Sequence, residues 1–224
     1  MTARLRRASL ELGLLVALLG TIAAFGPRTA AAAECSPFHV RLEPSTWNTS
    51  RAADLGRAIG QTFLAEDTLI SRITVWRPPN FPTSLGAHLY VTGVGAGTDR
   101  PDMGQILLDG PTLLVHDSDP PGQFIEMSFV LDPPLALPGP GLYAFFLRTE
   151  FCSPASWYIV ANNTNPYPYG LYWITGRVDT GPCRVRPVDS GENNTDLLFD
   201  IEFCSTRVTP THAGTWGRLK VIYR

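Results

Sequence analysis

The fold class is decided by one stretch of the chain, Phe124-Ile125-Glu126-Met127-Ser128-Phe129-Val130-Leu131. Its apolar residues fall at every second position from 125 to 131, and Glu126 and Ser128 lie between them. Successive side chains of an extended strand point to opposite faces, so this period of two predicts a strand that is buried on one face only. The same period recurs at residues 197–203 and 73–75.

Seven further segments have the composition of β-strands and are bounded by Gly, Pro, Asp or Asn. They cover residues 59–65, 86–93, 104–109, 112–116, 142–149, 156–161 and 170–175. About ten short strands with no convincing helix predict an all-β, antiparallel β-sandwich of the jelly-roll type. A Greek-key, immunoglobulin-like sandwich is the alternative, although Cys152 and Cys204 lack the cysteine and tryptophan arrangement of antibody domains.

The first 33 residues have the organisation of a signal peptide. Arg4, Arg6 and Arg7 precede an apolar run from Leu12 to Phe25, and Ala31-Ala32-Ala33 offers a cleavage site before Glu34. The apolar run is shorter than the about 20 residues that a membrane-spanning helix needs, and no later segment qualifies. We therefore expect a secreted or cell-surface protein without a membrane span in the mature chain. An uncleaved membrane anchor is the alternative.

All four cysteines follow the predicted cleavage site. An even number in an exported chain predicts disulfides, with three connectivities open to four cysteines. We expect Cys35–Cys204 to join the first and last strands, and Cys152–Cys183 to tie down an aromatic-rich region. The sequence contains no Cys-x-x-Cys pair, which argues against a zinc site or a thioredoxin-like motif.

Charge separates the predicted sandwich domain, residues 34–204, from a short tail. The domain has 10 basic and 19 acidic residues, a formal charge of −9. Nucleic acid is therefore not expected as a partner. The tail, residues 205–224, carries four basic residues and no acidic one. Its ending resembles short Trp-Gly-Arg/Lys-Tyr-Arg endings of some exported bacterial proteins. This resemblance implies a sorting or docking tag, and a disordered or edge-strand terminus is the alternative.

Five segments occur in an order that resembles a group of exported bacterial jelly-roll domains similar to carbohydrate-binding modules. They are Gly60-Gln61-Thr62-Phe63, Ile73-Thr74-Val75, Leu137-Pro138-Gly139-Pro140-Gly141-Leu142-Tyr143, Tyr167-Pro168-Tyr169-Gly170-Leu171-Tyr172-Trp173 and Asp196-Leu197-Leu198-Phe199. The resemblance spans residues 58–204 and implies the same fold and a place at the cell surface. This chain departs from the group in having Tyr169-Gly170 at a Gly-Gly step and in having four cysteines. The resemblance carries no functional residues with it.

An aromatic cluster is the strongest candidate for a binding site. Its members with a predicted ligand role are Trp157, Tyr167, Tyr169, Tyr172 and Trp173. Aromatic rings beside amide side chains suit the apolar faces and hydroxyl rims of sugars. Packing in the core is the alternative, because Trp and Tyr are favoured in strands. We expect Tyr167 and Tyr169, which Pro166 and Pro168 hold in a loop, to be more exposed than the two tryptophans.

Metal binding and catalysis have weaker support. Six aspartates in or near loops leave a structural calcium ion as an alternative, but no EF-hand spacing is present. They are Asp117, Asp119, Asp179, Asp189, Asp196 and Asp200. The four histidines are scattered, with no His-Glu-x-x-His and no Gly-x-Ser-x-Gly motif. We place His88 on the face of a strand. No other cofactor is expected.

The sequence thus predicts an exported binding module that is not an enzyme, with carbohydrate as its ligand. The expected partner is an extracellular polysaccharide or a surface protein. A structural or adhesive cell-surface protein is the main alternative. A secreted hydrolase is the third, because paired carboxylates that meet only in space leave no mark on the sequence.

Overall fold

A computed structural model describes residues 36–54, 56–79, 86–114, 122–153, 155–177 and 183–205. These residues form β-strands and two single 3-10 turns, at Pro44–Thr46 and Glu150–Cys152, with no α-helix among them. The first seven strands are β1 (Ser36–Arg41), β2 (Thr49–Ala53), β3 (Ala58–Ala65), β4 (Leu69–Arg77), β5 (Ala87–Val94), β6 (Pro101–Leu113) and β7 (Ile125–Ala136). The others are β8 (Gly141–Thr149), β9 (Trp157–Asn162), β10 (Tyr172–Thr175), β11 (Val188–Glu192), β12 (Asp196–Leu197) and β13 (Phe199–Ser205).

The strands form three antiparallel sheets. One has four strands in the order β1-β13-β4-β7, and a second has six in the order β11-β10-β3-β8-β5-β6. The third contains β12-β9-β2. The chain passes between the four-stranded and six-stranded sheets at β3–β4, β4–β5, β6–β7 and β7–β8, as in Greek-key and jelly-roll sandwiches. The prediction of an all-β antiparallel sandwich is confirmed.

The core lies between the four-stranded and six-stranded sheets. Phe63 of β3 faces Phe203 of β13 with ring centroids 6.5 Å apart, and Phe145 of β8 meets Phe199 edge-on at 5.6 Å. The three-stranded sheet adds the fully buried Trp157 to the same core. Burial of this apolar surface is the main stabilising contribution, at about 25 cal/mol for each Å² removed from water.

The predicted alternation is confirmed in β7 and β13. Met127, Phe129 and Leu131 are buried, and Glu126 between the strand's apolar positions is exposed. In the last strands all four apolar positions from 197 to 203 are fully buried. Leu198 is buried as well, because it packs with Trp76 and Val160 in a separate small cluster.

Residues 104–109 and 112–116 were expected to form two strands, but residues 101–113 form one continuous strand, β6. His88 of β5 pairs with Thr112, and Tyr90 pairs with Asp109, so two steps on β5 match three on β6. This bulge accommodates Gly110-Pro111 within the strand. Proline is tolerated there because β6 is an edge strand, where its missing N–H breaks no pairing.

Three strands, β1, β2 and β11, were not predicted. Each lies at the edge of its sheet. Edge strands are often polar, since charged and polar side chains on them discourage pairing with other chains. β2 and β11 therefore lack the apolar alternation on which the prediction depended, whereas β1 has it at Phe38 and Val40 and was overlooked.

The predicted Cys152–Cys183 disulfide is present, with 5.5 Å between the two Cα atoms. Cys204 is also disulfide-bonded. Its predicted partner Cys35 lies outside the described residues, so the Cys35–Cys204 pairing stays a prediction. The predicted signal peptide and the tail beyond Ser205 likewise lie outside them. Within the described part of the chain, no helix has the length and apolar character needed to cross a membrane.

Candidate functional site

The structure does not assemble the predicted aromatic platform. Trp157, Tyr172 and Trp173 are buried, and so is Tyr167. A buried ring has no face free for a ligand. Tyr169 is the exception among the five, because 64% of its surface is exposed. A ligand role for Tyr169 stays a prediction.

Tyr167 was expected to be more exposed than the two tryptophans, but at 9% it is buried as they are, with 8% for Trp173 and 0% for Trp157. Its contacts give the reason. Its ring packs edge-on against Phe199 with a centroid distance of 5.4 Å, and its hydroxyl accepts a hydrogen bond of 2.9 Å from the Leu64 N–H. Burial raises the pKa of Tyr167, an effect that this hydrogen bond partly opposes. The prolines that were expected to hold Tyr167 outward flank a ring that is part of the core.

Three of the five segments that carry the family resemblance meet in a buried polar network. The carboxylate of Asp196 accepts hydrogen bonds from the Gln61 amide at 2.8 Å and from the Tyr167 N–H at 2.9 Å. The Leu197 N–H donates to the Gln61 side-chain oxygen at 3.0 Å. These residues therefore hold β3, β12 and the loop before β10 together. These hydrogen bonds give the three residues a structural role.

A polar row on the outer face of the six-stranded sheet forms a different candidate site. Arg148 of β8 pairs with His88 of β5, and His88 pairs with Thr112 of β6. Side chains directly opposite each other on neighbouring strands share one face. The row lines a pocket of about 230 Å³, which Glu150, Phe151 and Cys183 complete. We call it the Arg148 pocket.

His88 is held by two hydrogen bonds of 2.6 Å, one from Nδ1 to the Thr112 hydroxyl and one from Nε2 to the Asp109 carboxylate. A carboxylate only accepts, so Nε2 carries the proton and Nδ1 of a neutral ring accepts from Thr112. Asp109 and Thr112 are three residues apart and would point to opposite faces of a regular strand. The β6 bulge brings both to the same side of His88.

Arg148 is 6% exposed, although it carries a positive charge. One terminal nitrogen donates to Cys152 Sγ at 3.4 Å, and the guanidinium lies over the Tyr90 ring, 5.3 Å from its centroid. The buried Nε has no hydrogen-bond partner, and no described carboxylate forms an ion pair with Arg148. Burial raises the pKa of Tyr90, the Arg148 charge opposes this, and Asp109 adds to it.

Glu150 is placed in the pocket by close packing over Gly86. Its N–H donates to the Gly86 carbonyl at 2.8 Å. A Cβ atom added at Gly86 would lie 2.5 Å from the Glu150 carboxylate, so a side chain at residue 86 would require the carboxylate to move. Within the described part of the chain, the carboxylate has no hydrogen bond or ion pair.

Phe151 gives the pocket an exposed apolar rim. Its side chain is 83% exposed, and both Phe151 and Cys152 have positive φ, 54° and 52°. Residues other than glycine seldom adopt this conformation, and such strain is often found at functional sites. The Cys152–Cys183 disulfide anchors the strained turn and places Cys183 in the pocket wall.

The Arg148 pocket therefore offers unused donors, an unused carboxylate and an exposed ring within a small volume. Pockets for drug-sized ligands have about 300–1,000 Å³, so this one suits a smaller group such as one sugar residue. A larger cavity of about 440 Å³ lies between residues 95–104 and 185–188. Among the described residues that line this cavity, no charged side chain has a buried atom without a hydrogen-bond partner. The Arg148 pocket is therefore the better candidate.

The structure leaves little support for a calcium site among the residues it describes, where no group of three or more His, Cys, Asp and Glu side chains could hold a metal ion. Asp196 is engaged in the buried network, and Asp200 contacts His39. Asp189 is exposed. Asp117, Asp119 and Asp179 lie outside the described residues.

Sequence reasoning placed His88 on a strand face, which the structure confirms, but it missed Arg148, Glu150 and Phe151. A signal was present at residues 148–152, where two charges follow an apolar strand and precede an exposed ring and a cysteine. Arg148 occupies the outward position of β8, in step with Phe146 and Ala144. A charge at such a position marks an outer face where polar groups meet.

Comparison with known proteins gives limited information. No protein-family model matches the chain, and no curated protein matches its sequence. One solved structure with a similar arrangement contains the cysteine protease and lectin-like domains of Cwp84, a surface layer associated protein of Clostridium difficile. The TM-score is 0.44 at 8% identity, and the alignment covers 70% of this chain and 36% of that one. A likeness at this level indicates neither function nor ligand.

Proposed function

We propose that this protein is an exported, non-catalytic binding module that holds a carbohydrate in the Arg148 pocket. The observation that carries the proposal is that one pocket is lined by the buried Arg148, whose Nε is unpaired, and by the exposed Phe151. Sugar recognition combines an aromatic surface for the C–H face with polar groups for the hydroxyls. The presence of a disulfide agrees with an extracytoplasmic location.

A non-catalytic role fits the carboxylates of this site. Glu150 is the carboxylate that lines the pocket among the described residues, and the nearby Asp109 is bound to His88. Glycoside hydrolysis usually needs two carboxylates facing the scissile bond. We therefore propose that the protein binds carbohydrate without hydrolysing it.

A glycan array on the purified protein tests the proposal, followed by calorimetric titration of the best glycan. Phe151→Ala should weaken binding about five- to tenfold, on the order of 1 kcal/mol, because one aromatic contact is lost. The melting temperature should not change, since Phe151 is mostly exposed.

Tyr169→Ala is the matched control, because Tyr169 is also an exposed aromatic but lies outside the pocket. Its neighbour Gly170 packs on Thr62, which is four residues, or roughly 13 Å, along β3 from the partner of Arg148. Loss of binding in Tyr169→Ala alone would place the site at the loop predicted from sequence. An array with no bound glycan would refute the proposal.

A structural or adhesive surface protein is the second candidate. Burial of four of the five predicted aromatic residues favours it, and so does an exposed pair, Trp47 and Phe124, whose rings meet edge-on at 5.3 Å. Exposed apolar pairs of this kind suit contacts with other proteins. Self-association or adhesion without glycan binding, lost in Trp47→Ser, would support this candidate.

A further inference from the structure

The ligand class follows from two unpaired groups in the Arg148 pocket, and this step rests on the proposed carbohydrate-binding function. Arg148 can only donate hydrogen bonds, and the Glu150 carboxylate can only accept them. Both groups line the pocket, and no ion pair joins them. The pocket therefore presents donors and acceptors that the protein itself leaves unused.

A neutral sugar matches this pair. Each hydroxyl has one donor and two acceptor sites, so neighbouring hydroxyls can accept from Arg148 and donate to Glu150 at the same time. His88 bonds to both Thr112 and Asp109, so His88 and Thr112 shape the wall with less free bonding capacity. Arg148 and Glu150 are thus the groups that form hydrogen bonds with the ligand.

Charged ligands match the pocket less well. An acidic sugar would satisfy Arg148 but bring its carboxylate against Glu150, the carboxylate that lines the pocket. Like charges placed together across an interface are strongly unfavourable. A cationic ligand would be repelled by the positive charge of Arg148. The charged and titratable side chains that face this region are Arg148, Glu150, His88, Asp109 and Tyr90.

We infer that Arg148 and Glu150 select a neutral sugar by its hydroxyls and that Glu150 excludes the corresponding acidic sugar. In this arrangement Arg148 contributes affinity for both kinds of sugar, and Glu150 discriminates between neutral and acidic sugars. Glycine at residue 86, which leaves space for the Glu150 carboxylate in this position, is then part of the specificity of the site.

NMR titrations of the purified protein, which detect millimolar affinities, test the inference. The probes are methyl glycosides of glucose, galactose and mannose, each compared with its uronate. Wild type should bind at least one neutral sugar about tenfold or more tightly than its uronate. Glu150→Gln keeps the size and one acceptor oxygen but removes the charge, so it should reduce this preference at least about fivefold.

Asp109→Asn is the control, because its carboxylate is close but does not line the pocket; it should change the preference less than twofold. Arg148→Lys should weaken binding of the neutral sugar and of the uronate to the same extent, because the planar guanidinium with its several donors is lost. Equal or tighter binding of uronates by wild type would overturn the inference and leave the proposed function intact. Binding of none of the six sugars would overturn the inference, and a blank glycan array as well would refute the proposed function. The wild-type comparison alone decides the outcome if a variant does not fold.

Discussion

At the scale of single residues, the same chemical type has different roles in different surroundings. Asp196 is fully buried and accepts two hydrogen bonds, whereas the Glu150 carboxylate has no described partner and lines a pocket. Buried polar groups that are fully paired stabilise one structure, and unpaired ones mark sites where a ligand can complete the bonding. The local pairing of a carboxylate is thus a better guide to its role than its position in a loop.

Asp196→Asn should destabilise the domain by about 1–3 kcal/mol at neutral pH. Both Asp196 oxygens face donors, on Gln61 and on the Tyr167 N–H. An asparagine would turn its own N–H₂ toward one of these donors and leave a buried pair of donors unsatisfied. Urea unfolding measures the loss. Asp189→Asn, which changes an exposed carboxylate of β11, is the control and should leave the free energy of unfolding unchanged.

The same comparison should depend on pH. Burial raises the pKa of Asp196 above its ordinary value of 3.8, and the hydrogen bonds from Tyr167 and Gln61 only partly oppose this. The folded domain therefore holds this proton more tightly than the unfolded chain. The stability that it contributes is full below the ordinary pKa and is lost as the pH rises through the folded pKa. The difference between wild type and Asp196→Asn should be larger at pH 3 than at pH 7, and the opposite slope would contradict the assignment.

At the scale of elements, close approach between backbones fixes the loop before β10. The Thr62 N–H donates to the Leu171 carbonyl at 3.0 Å, and the Leu171 N–H donates to the Thr62 hydroxyl at 2.7 Å. Gly170 lies directly on the Thr62 carbonyl, which a Cβ atom at residue 170 would overlap. Glycine is required here because the backbones leave no space for a side chain.

Gly170→Ala should therefore cost about 1–3 kcal/mol, or more if the loop has to move away from β3. Gly139→Ala is the matched control, because a Cβ atom there meets nothing within 4 Å. Chemical denaturation of both variants makes the comparison. Equal stability of the two would show that the loop adapts freely and that the contact with Thr62 is weak.

At the scale of the whole molecule, β13 occupies an interior position. It pairs with β1 on one side and with β4 on the other, and Ser205 at its end pairs with Ser36. An interior strand has no free edge for a further strand. A further strand can therefore be added only at one of the outer strands of the described sheets.

Removal of residues 206–224 should leave the melting temperature unchanged within a few degrees. The core and all described sheet pairings lie before this segment, and 1 kcal/mol corresponds to about 2–4 °C for a domain of this size. A fall of more than about 8 °C would show that the tail is structural. Melts at low and high salt separate the causes, because attraction of the basic tail to the acidic domain is screened by salt.

Alternation along the sequence was sufficient to predict the fold class and most of the strands. The period of two in β7 and β13 reflects burial of one face, which is a local property of the chain. The export signal and the Cys152–Cys183 pair were also predicted from local pattern and count, and the structure confirms the latter. The polar edge strands β2 and β11 were not predictable in this way, because only their partners identify them as strands. The alternation of Phe38 and Val40 in β1 was overlooked.

The site was decided by tertiary structure. Sequence alone could not distinguish buried from exposed aromatic residues, since both kinds have the same strand propensity. Tyr167 became part of the core through contacts with Phe199 and Leu64, which lie far away in the sequence. The Arg148 pocket depends on pairing between β8, β5 and β6 and on a bulge that turns Asp109 and Thr112 to one side. The chain therefore encodes its strands through local alternation, whereas its candidate binding site exists only where strand register brings distant side chains together.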